Sequence, residues 1–319
     1  MKSVMLKCEP DAIAPDYYKF NALGYTNLPE EFVRWLTEYG TDINFPDRFG
    51  YTPLHHQASC KNAEKQIKLY IKLGADIEKQ SLFDGSALHS AAGKGYTENV
   101  RVLLALGADI VAKDYNGNTP LERLLANCYA VDVPGMLETI ELLLMNGAHV
   151  SDKINEYVEN IGKDMEFRRK DYPAESIPRL DEAMTRLYGL FGVSPVLRRK
   201  MYDGVSPITV TASEWQKQFA ELWDLLVPGC GTCSTIQGEI IRINGRNGAG
   251  NADEDFFSNA DLLITYLSKG IPISESDMTC VSRIVHNMKK LECDEKELNE
   301  LCKISVGWVL NNPTPIPVE

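Results

Sequence analysis

The sequence has no excess of cations. Lys and Arg number 33 against 45 Asp and Glu, giving a formal charge of -12 over 319 residues. Holding a polyanion requires cations in surplus to displace its counterions, so nucleic-acid binding is not expected. An acidic surface instead favours encounter with a basic partner. Long apolar runs are missing as well. Nowhere do about 18 apolar residues follow one another, and the longest stretches, such as Leu142 to Met145, are of helix-core length. A membrane span is therefore not expected. Met1 to Asp16 holds two lysines but no apolar segment of signal-peptide length, which points to a cytoplasmic protein. In that reducing compartment the eight cysteines are read as thiols.

What is present is self-similarity. Three tails align: Gly74-Ala75-Asp76-Ile77, Gly107-Ala108-Asp109-Ile110 and Gly147-Ala148-His149-Val150. Three heads align as well: Thr52-Pro53-Leu54-His55, Ser86-Ala87-Leu88-His89 and Thr119-Pro120-Leu121-Glu122. Each head follows a Gly-containing turn: Asp47-Arg48-Phe49-Gly50, Asp84-Gly85, and Asp114-Tyr115-Asn116-Gly117. Thr52 and Thr119 suit helix N-caps, with proline following where no N–H is needed. Pairs such as Leu103-Leu104 and Leu142-Leu143 bury a second helix, which the following Gly closes in a left-handed cap.

This head, helix and tail pattern over 47–150 resembles the ankyrin repeat, whose period is about 33 residues. The departures are specific. The second head reads as one residue short, with Ser86-Ala87 for Thr-Pro. The third repeat is seven positions longer, which predicts a rim loop around Cys128 to Gly135 that contains Pro134. Glu122 replaces the head histidine, so one hydrogen bond of the family pattern is expected to be lost.

The expected class is all-α: an ankyrin-repeat solenoid of helix-turn-helix repeats with short β-turns, followed by a C-terminal helical domain. Residues 1–150 are assigned to the repeats and an N-terminal capping repeat, whose helix runs from Leu28 to Leu36 and ends at Gly40. A terminal repeat is atypical because one of its faces has no neighbour. Residues 151–208 read as a degenerate repeat and junction. There Ile177 to Phe191 is helical, Gly192-Val193 echoes a tail, and Asp203-Gly204 to Ile208 echoes a head. Residues 209–319 read as five helices: from Ser213, capped through Gln216; Ser234 to Asn244; Asp253 to Ser268; Ser274 to Leu291; and Asp294 to Leu310.

Candidate chemistry is sparse. Cys230-Gly-Thr-Cys233 has neither the thioredoxin setting nor a second ligand pair, because Cys280, Cys293 and Cys302 follow singly with no close His. Gly245 to Asn251 follows a helix and lacks the Lys-Ser or Lys-Thr of a phosphate loop. Asp253-Glu254-Asp255 suits a helix start rather than a calcium loop. His55 and His89 occupy structural head positions. No catalytic residue, metal or cofactor is expected. Gln237-Gly238-Glu239-x-x-Arg242 is the most unusual local pattern, with Glu239 and Arg242 one turn apart and able to pair. The segment Trp223 to Arg246 resembles a helical domain of bacterial ankyrin-like immunity proteins of polymorphic toxin systems.

Together these features point to a non-catalytic protein-binding protein. The resemblance implies an immunity protein that neutralises a cognate toxin, with a basic toxin domain as its partner. Residues 251–319 hold twelve Asp and Glu against six Lys and Arg. An ankyrin adaptor or effector scaffold binding a host or signalling protein is the alternative. Candidate partner-binding residues are Arg48, Phe49, Tyr51, Phe83, Tyr115, Asn116 and Asn118 on the turns, His56 beside them, and Glu239 and Arg242 in the second half. Local packing competes with binding for Phe49 and Phe83, and helix locking competes with it for Glu239 and Arg242.

Overall fold

The computed structural model describes residues 13, 17, 19–200, 202–247, 254–290 and 292–318. The expected helix start at Asp253 and most of the turn from Gly245 to Asn251 lie outside them. Among the described residues every regular element is helical, and pairing of extended chain is limited to two isolated bridges. No helix among them is long and apolar enough to cross a membrane. The chain divides into two compact units, Met1–Met165 with Ala174–Val196, and Glu166–Pro173 with Leu197–Glu319. Segment 151–208 is thus shared between them.

The first unit opens with a 3-10 turn, Ala22–Gly24, and helix α1, Glu30–Glu38. Three helix pairs follow: α2 (Pro53–Ala58) with α3 (Glu64–Lys72), α4 (Ala87–Gly93) with α5 (Thr97–Ala105), and α6 (Pro120–Ala126) with α7 (Val133–Met145). The first helices of the pairs pack in one row, α2 on α4 on α6, and the second helices in another, α3 on α5 on α7. Helices α8 (Asp152–Arg168) and α9 (Ile177–Phe191) come next, and α9 packs on α7. These two are longer than repeat helices. Leu54, Leu88 and Leu121 are fully buried at equivalent positions, and burying such a side chain stabilises by about 1.5–3 kcal/mol.

The tails close their helices as the sequence predicts. Gly40, Gly74, Gly107 and Gly147 all have φ between 92° and 99°. In each, the next residue's N–H reaches back five positions, as from Ala75 to the Tyr70 carbonyl at 3.0 Å. Only glycine adopts this left-handed cap at little cost. The seven-residue insertion in the third repeat is not one rim loop. Pro134 and Gly135 lie in the first turn of α7, which lengthens to 13 residues, because proline is tolerated there.

The heads carry the interlock between repeats. The Thr52 N–H donates to His55 Nδ1 at 3.1 Å, while His55 Nε2 lies 2.9 Å from the Gly85 carbonyl of the next turn. A carbonyl only accepts, so Nε2 bears the proton and the ring is neutral. His89 repeats the arrangement with Ser86 N at 3.1 Å and the Asn118 carbonyl at 3.0 Å. Glu122 does not lose the link as the sequence implied. Its Oε2 accepts the Thr119 N–H at 2.7 Å, and its Oε1 accepts from the Ser151 hydroxyl at 2.6 Å. A carboxylate cannot donate, so it meets a hydroxyl where the histidines meet a carbonyl. Asn99 adds a second tie, donating to the Ala58 and Cys60 carbonyls of the preceding repeat at 3.0 and 2.6 Å.

The second unit is built from α10 (Trp215–Leu226), α11 (Ile236–Asn247), α12 (Glu254–Leu267), α13 (Glu275–Lys289) and α14 (Glu295–Asn311). Helix α11 packs against α10, α12 and α14, and Ile236, Ile240, Ile241 and Ile243 are buried on it. Ser274 and Asp294 cap α13 and α14 as expected. Ser213 caps nothing. Helix α10 starts at Trp215, and Gln218 donates to the Ala212 carbonyl at 2.9 Å instead. The head echo at Asp203 forms a turn, its carboxylate accepting from the Val205 and Ser206 amides, but no helix follows. Ile208 N–H bonds to the Pro313 carbonyl at 2.8 Å. Arg199 secures the end of α10. Its guanidinium donates to the Asp224, Trp223 and Val227 carbonyls at 2.5, 3.1 and 2.5 Å and lies 4.5 Å above the Phe167 ring.

Three outcomes test this scheme. Burial lowers His55 from 6.5 to about 4, outweighing its bond to the Gly85 carbonyl, and burial lowers His89 too. The unfolded chain therefore takes up protons first, and stability falls as pH drops from 6.5 towards 4. Urea midpoints across that range should decline, and the slope should be shallower in His55→Gln. For Glu122 burial raises the pKa, but bonds from Ser151, the Thr119 amide and Lys113 outweigh it and hold the group at about 2. Its contribution is present above 4.5 and lost as pH falls towards 2. Ser151→Ala should cost about 1 kcal/mol at neutral pH and reduce the loss of stability below pH 4.5. Arg199→Ala, which leaves three helix-end carbonyls without their donor, should cost about 2 kcal/mol in thermal unfolding.

Candidate functional site: the turn tips

The three turns that precede the heads share one register. Asp47-Arg48-Phe49-Gly50-Tyr51 matches Ser81-Leu82-Phe83-Asp84-Gly85 and Asp114-Tyr115-Asn116-Gly117-Asn118. In the outer two, the leading Asp folds the turn. Asp47 Oδ1 accepts the Phe49 and Tyr51 amides at 2.8 and 2.9 Å, and Asp114 Oδ1 accepts those of Asn116 and Asn118 at 2.9 and 2.8 Å. In the middle turn Ser81 takes that place, and its hydroxyl accepts the Asp84 amide at 2.9 Å. The second repeat is therefore not one residue short. Its turn begins at Ser81, and Gly85, at φ 79°, occupies the place of Tyr51 and Asn118.

Neighbouring turns are joined. The Leu82 N–H donates to the Phe49 carbonyl at 2.9 Å. Asp84 accepts from the Tyr51 hydroxyl and from Arg123, whose other nitrogen reaches Asp114 Oδ2 at 3.3 Å. Burial, then the bond to Asp84, raises the Tyr51 phenol above its ordinary value. His56 Nε2 lies 3.2 Å from Asp47 Oδ2, and burial lowers its pKa against the pull of that carboxylate. Arg123, Asp84 and Leu82 were not singled out in the sequence. Aligning the turns on their leading Asp or Ser, rather than on Gly, would have exposed Leu82 as the counterpart of Arg48 and Tyr115.

The candidate residues fall into three groups. Arg48, Phe83, Tyr115 and Asn116 are exposed, Tyr115 at 79 % and Phe83 at 53 %. Arg48 rests 4.4 Å above the Tyr17 ring. Phe49, Tyr51 and His56 are half-buried: Phe49 packs on Tyr17 at 5.7 Å between ring centres, and His56 on Phe20 at 5.5 Å. Asn118, Glu239 and Arg242 are buried and do not join a surface. Asn118 gives its carbonyl to His89 and its side-chain oxygen to the Tyr157 hydroxyl. Glu239 and Arg242 pair inside the second unit at 2.9 and 3.1 Å, beside Asn259 of α12. A charge pair so enclosed cannot reach a partner without unfolding its surroundings.

The remaining chemistry is quiescent. Cys230 and Cys233 are free thiols. Cys230 Sγ lies 3.2 Å from Asp171, whose hydrogen bond and charge raise the thiol pKa and so disfavour the nucleophilic thiolate. Among the described residues no group of three His, Cys, Asp or Glu could hold a metal ion. A shallow cleft of about 330 Å³ lies on the loops between paired helices, lined by Lys61, Glu64, Tyr96, Glu98 and Glu138. Arg101 pairs with two of its carboxylates, Glu98 at 3.2 Å and Glu138 at 3.7 Å.

Comparison with known proteins agrees with this geometry. The family model for ankyrin repeats in three copies matches residues 20–114 and 56–154. The chain is 38 % identical over 93 residues to mouse B-cell lymphoma 3 protein homolog, covering 29 % of this chain and 20 % of that protein. It is 32 % identical over 134 residues to ankyrin repeat and SOCS box protein 6 of Pongo abelii, covering 41 % and 31 % respectively. It is 33 % identical over 107 residues to the putative E3 ubiquitin-protein ligase XBAT35 of Arabidopsis thaliana, covering 32 % and 22 %. The chain thus spans less than a third of the length of each of these relatives. All three are eukaryotic, and none is named as an immunity protein. Residues 20–154 of this chain are ankyrin repeats, and its first unit is an ankyrin-repeat solenoid.

Proposed function

We propose that the turn tips of the repeat unit bind a protein partner, and that the chain acts by association rather than catalysis. Ankyrin repeats are protein-binding scaffolds. The observation that carries the reading is the pairing of exposed apolar tips with a frame locked by buried hydrogen bonds. Leu82, Phe83 and Tyr115 are 57, 53 and 79 % exposed, on turns whose backbone is fixed by Asp47, Ser81 and Asp114. Fixed aromatic side chains lose little entropy on binding and serve as anchors.

The specific reading is neutralisation of a cognate toxin, with a basic toxin domain as partner. It is supported by the net charge of -12 and by the acidic balance of residues 251–319. One observation favours an adaptor instead. The relatives are eukaryotic proteins, and one is named for repeats accompanied by a second module, as repeats here precede a second helical unit.

Captured partners should separate the readings. The substitutions Leu82→Ser, Phe83→Ser and Tyr115→Ser, made together, should weaken a partner caught from the producing cell by at least about thirtyfold, the loss of one anchor-level contact. The melting temperature should stay nearly unchanged. An unchanged affinity rules out the tips. A partner that arrests growth alone and is silenced by co-expression of this chain supports neutralisation, and a harmless partner supports the adaptor.

A further inference from the structure

The charge that reaches solvent at the turn tips is opposite in sign to the charge of the whole chain. Each turn commits its carboxylate to the fold. Asp47 holds two amides of its own turn and faces His56. Asp84 takes the Tyr51 hydroxyl and Arg123, and Asp114 takes two amides and Arg123. Asp47 and Asp114 have fully buried side chains. The cations are left outside. Arg48 and Lys79 are exposed, and Lys113 keeps 54 % exposure although it touches Glu122.

These cations are interleaved with apolar side chains in a fixed order. Arg48, Leu82 and Tyr115 hold the same position in successive turns and so form one row across three repeats, with Phe83 beside it. Arg48 is oriented in advance by the Tyr17 ring beneath it. A stack that repeats one position per unit is suited to reading an extended chain one side chain at a time.

We propose that this row receives an extended protein segment rich in Asp or Glu and carrying apolar side chains. The proposal rests on the tips being the partner surface and adds the chemistry of what they hold. Carboxylates of such a segment would pair with Arg48, Lys79 and Lys113, while its apolar groups would cover Leu82, Phe83 and Tyr115. A basic segment would set like charges against each other at three points, with no free tip carboxylate to compensate.

The test is selection of random twelve-residue peptides displayed on phage against the immobilised full-length chain. Recovered peptides are then synthesised and titrated in solution. Selected sequences should be enriched in Asp and Glu together with Phe, Leu or Trp. Their binding should weaken on the order of tenfold in Arg48→Glu/Lys79→Glu, as expected for reversing two exposed ion pairs. It should weaken also between 50 and 300 mM salt, a change that shortens the screening length from roughly 14 to 6 Å. Circular dichroism melts of the variants control for folding. Basic or uncharged peptides that compete at the tips, and are lost in Leu82→Ser/Phe83→Ser/Tyr115→Ser, would overturn the acidic specificity and leave the tips as the binding surface. Peptides indifferent to both variants, or no peptide at all, would overturn both.

Discussion

Each repeat is joined to the next through one buried side chain, the third residue of its first helix. That side chain closes the N-terminus of its own helix with one atom and reaches the following unit with another. His55, His89 and Glu122 all do this. Hydrophobic burial draws the helices together without specifying register, whereas a buried hydrogen bond left unmade costs the full desolvation of its atoms. The head residues therefore set where each turn stands relative to its neighbour. That placement brings Arg48, Leu82 and Tyr115 into line, so the binding surface is a consequence of the interlock inside.

Much of the fold could be read from the sequence because its signals are local. The Gly caps, the Thr52 and Thr119 N-caps and the caps at Ser274 and Asp294 all lie within a few residues of the backbone groups they satisfy. Helix α9 was legible at both ends, since its buried face recurs at helical spacing and Gly192 stops it. Signals that depend on distant partners were not legible. Glu122 looks like a lost bond until Ser151, 29 positions later, is seen to supply a hydroxyl. Ser213 has the pattern of a capping box, yet Glu221 and Gln218 tie the chain before α10 in another way.

The candidate site was legible in type and less so in membership. Turn tips were the right place to look, because their backbone is fixed by residues that announce themselves. Burial decided the rest. Asn118 was indistinguishable from Asn116 by composition, but one turn position separates a solvent-facing amide from one enclosed beneath Tyr157. Glu239 and Arg242 were correctly placed one helical turn apart, and only the packing of α11 among three other helices shows that they face inward. The contribution of Asp84 and Arg123 was invisible, since neither is near the other in sequence.

The substitution at the third head has a corollary for modularity. The first two repeats end in a proton-giving contact and can accept any successor that offers a main-chain oxygen. The third ends in a proton-taking contact and can accept only a successor that offers a hydroxyl or amine. Copies of the first two could be duplicated in tandem, but none could be appended after the third without also restoring an imidazole there. The array is thereby given a chemical terminus, written in a single residue.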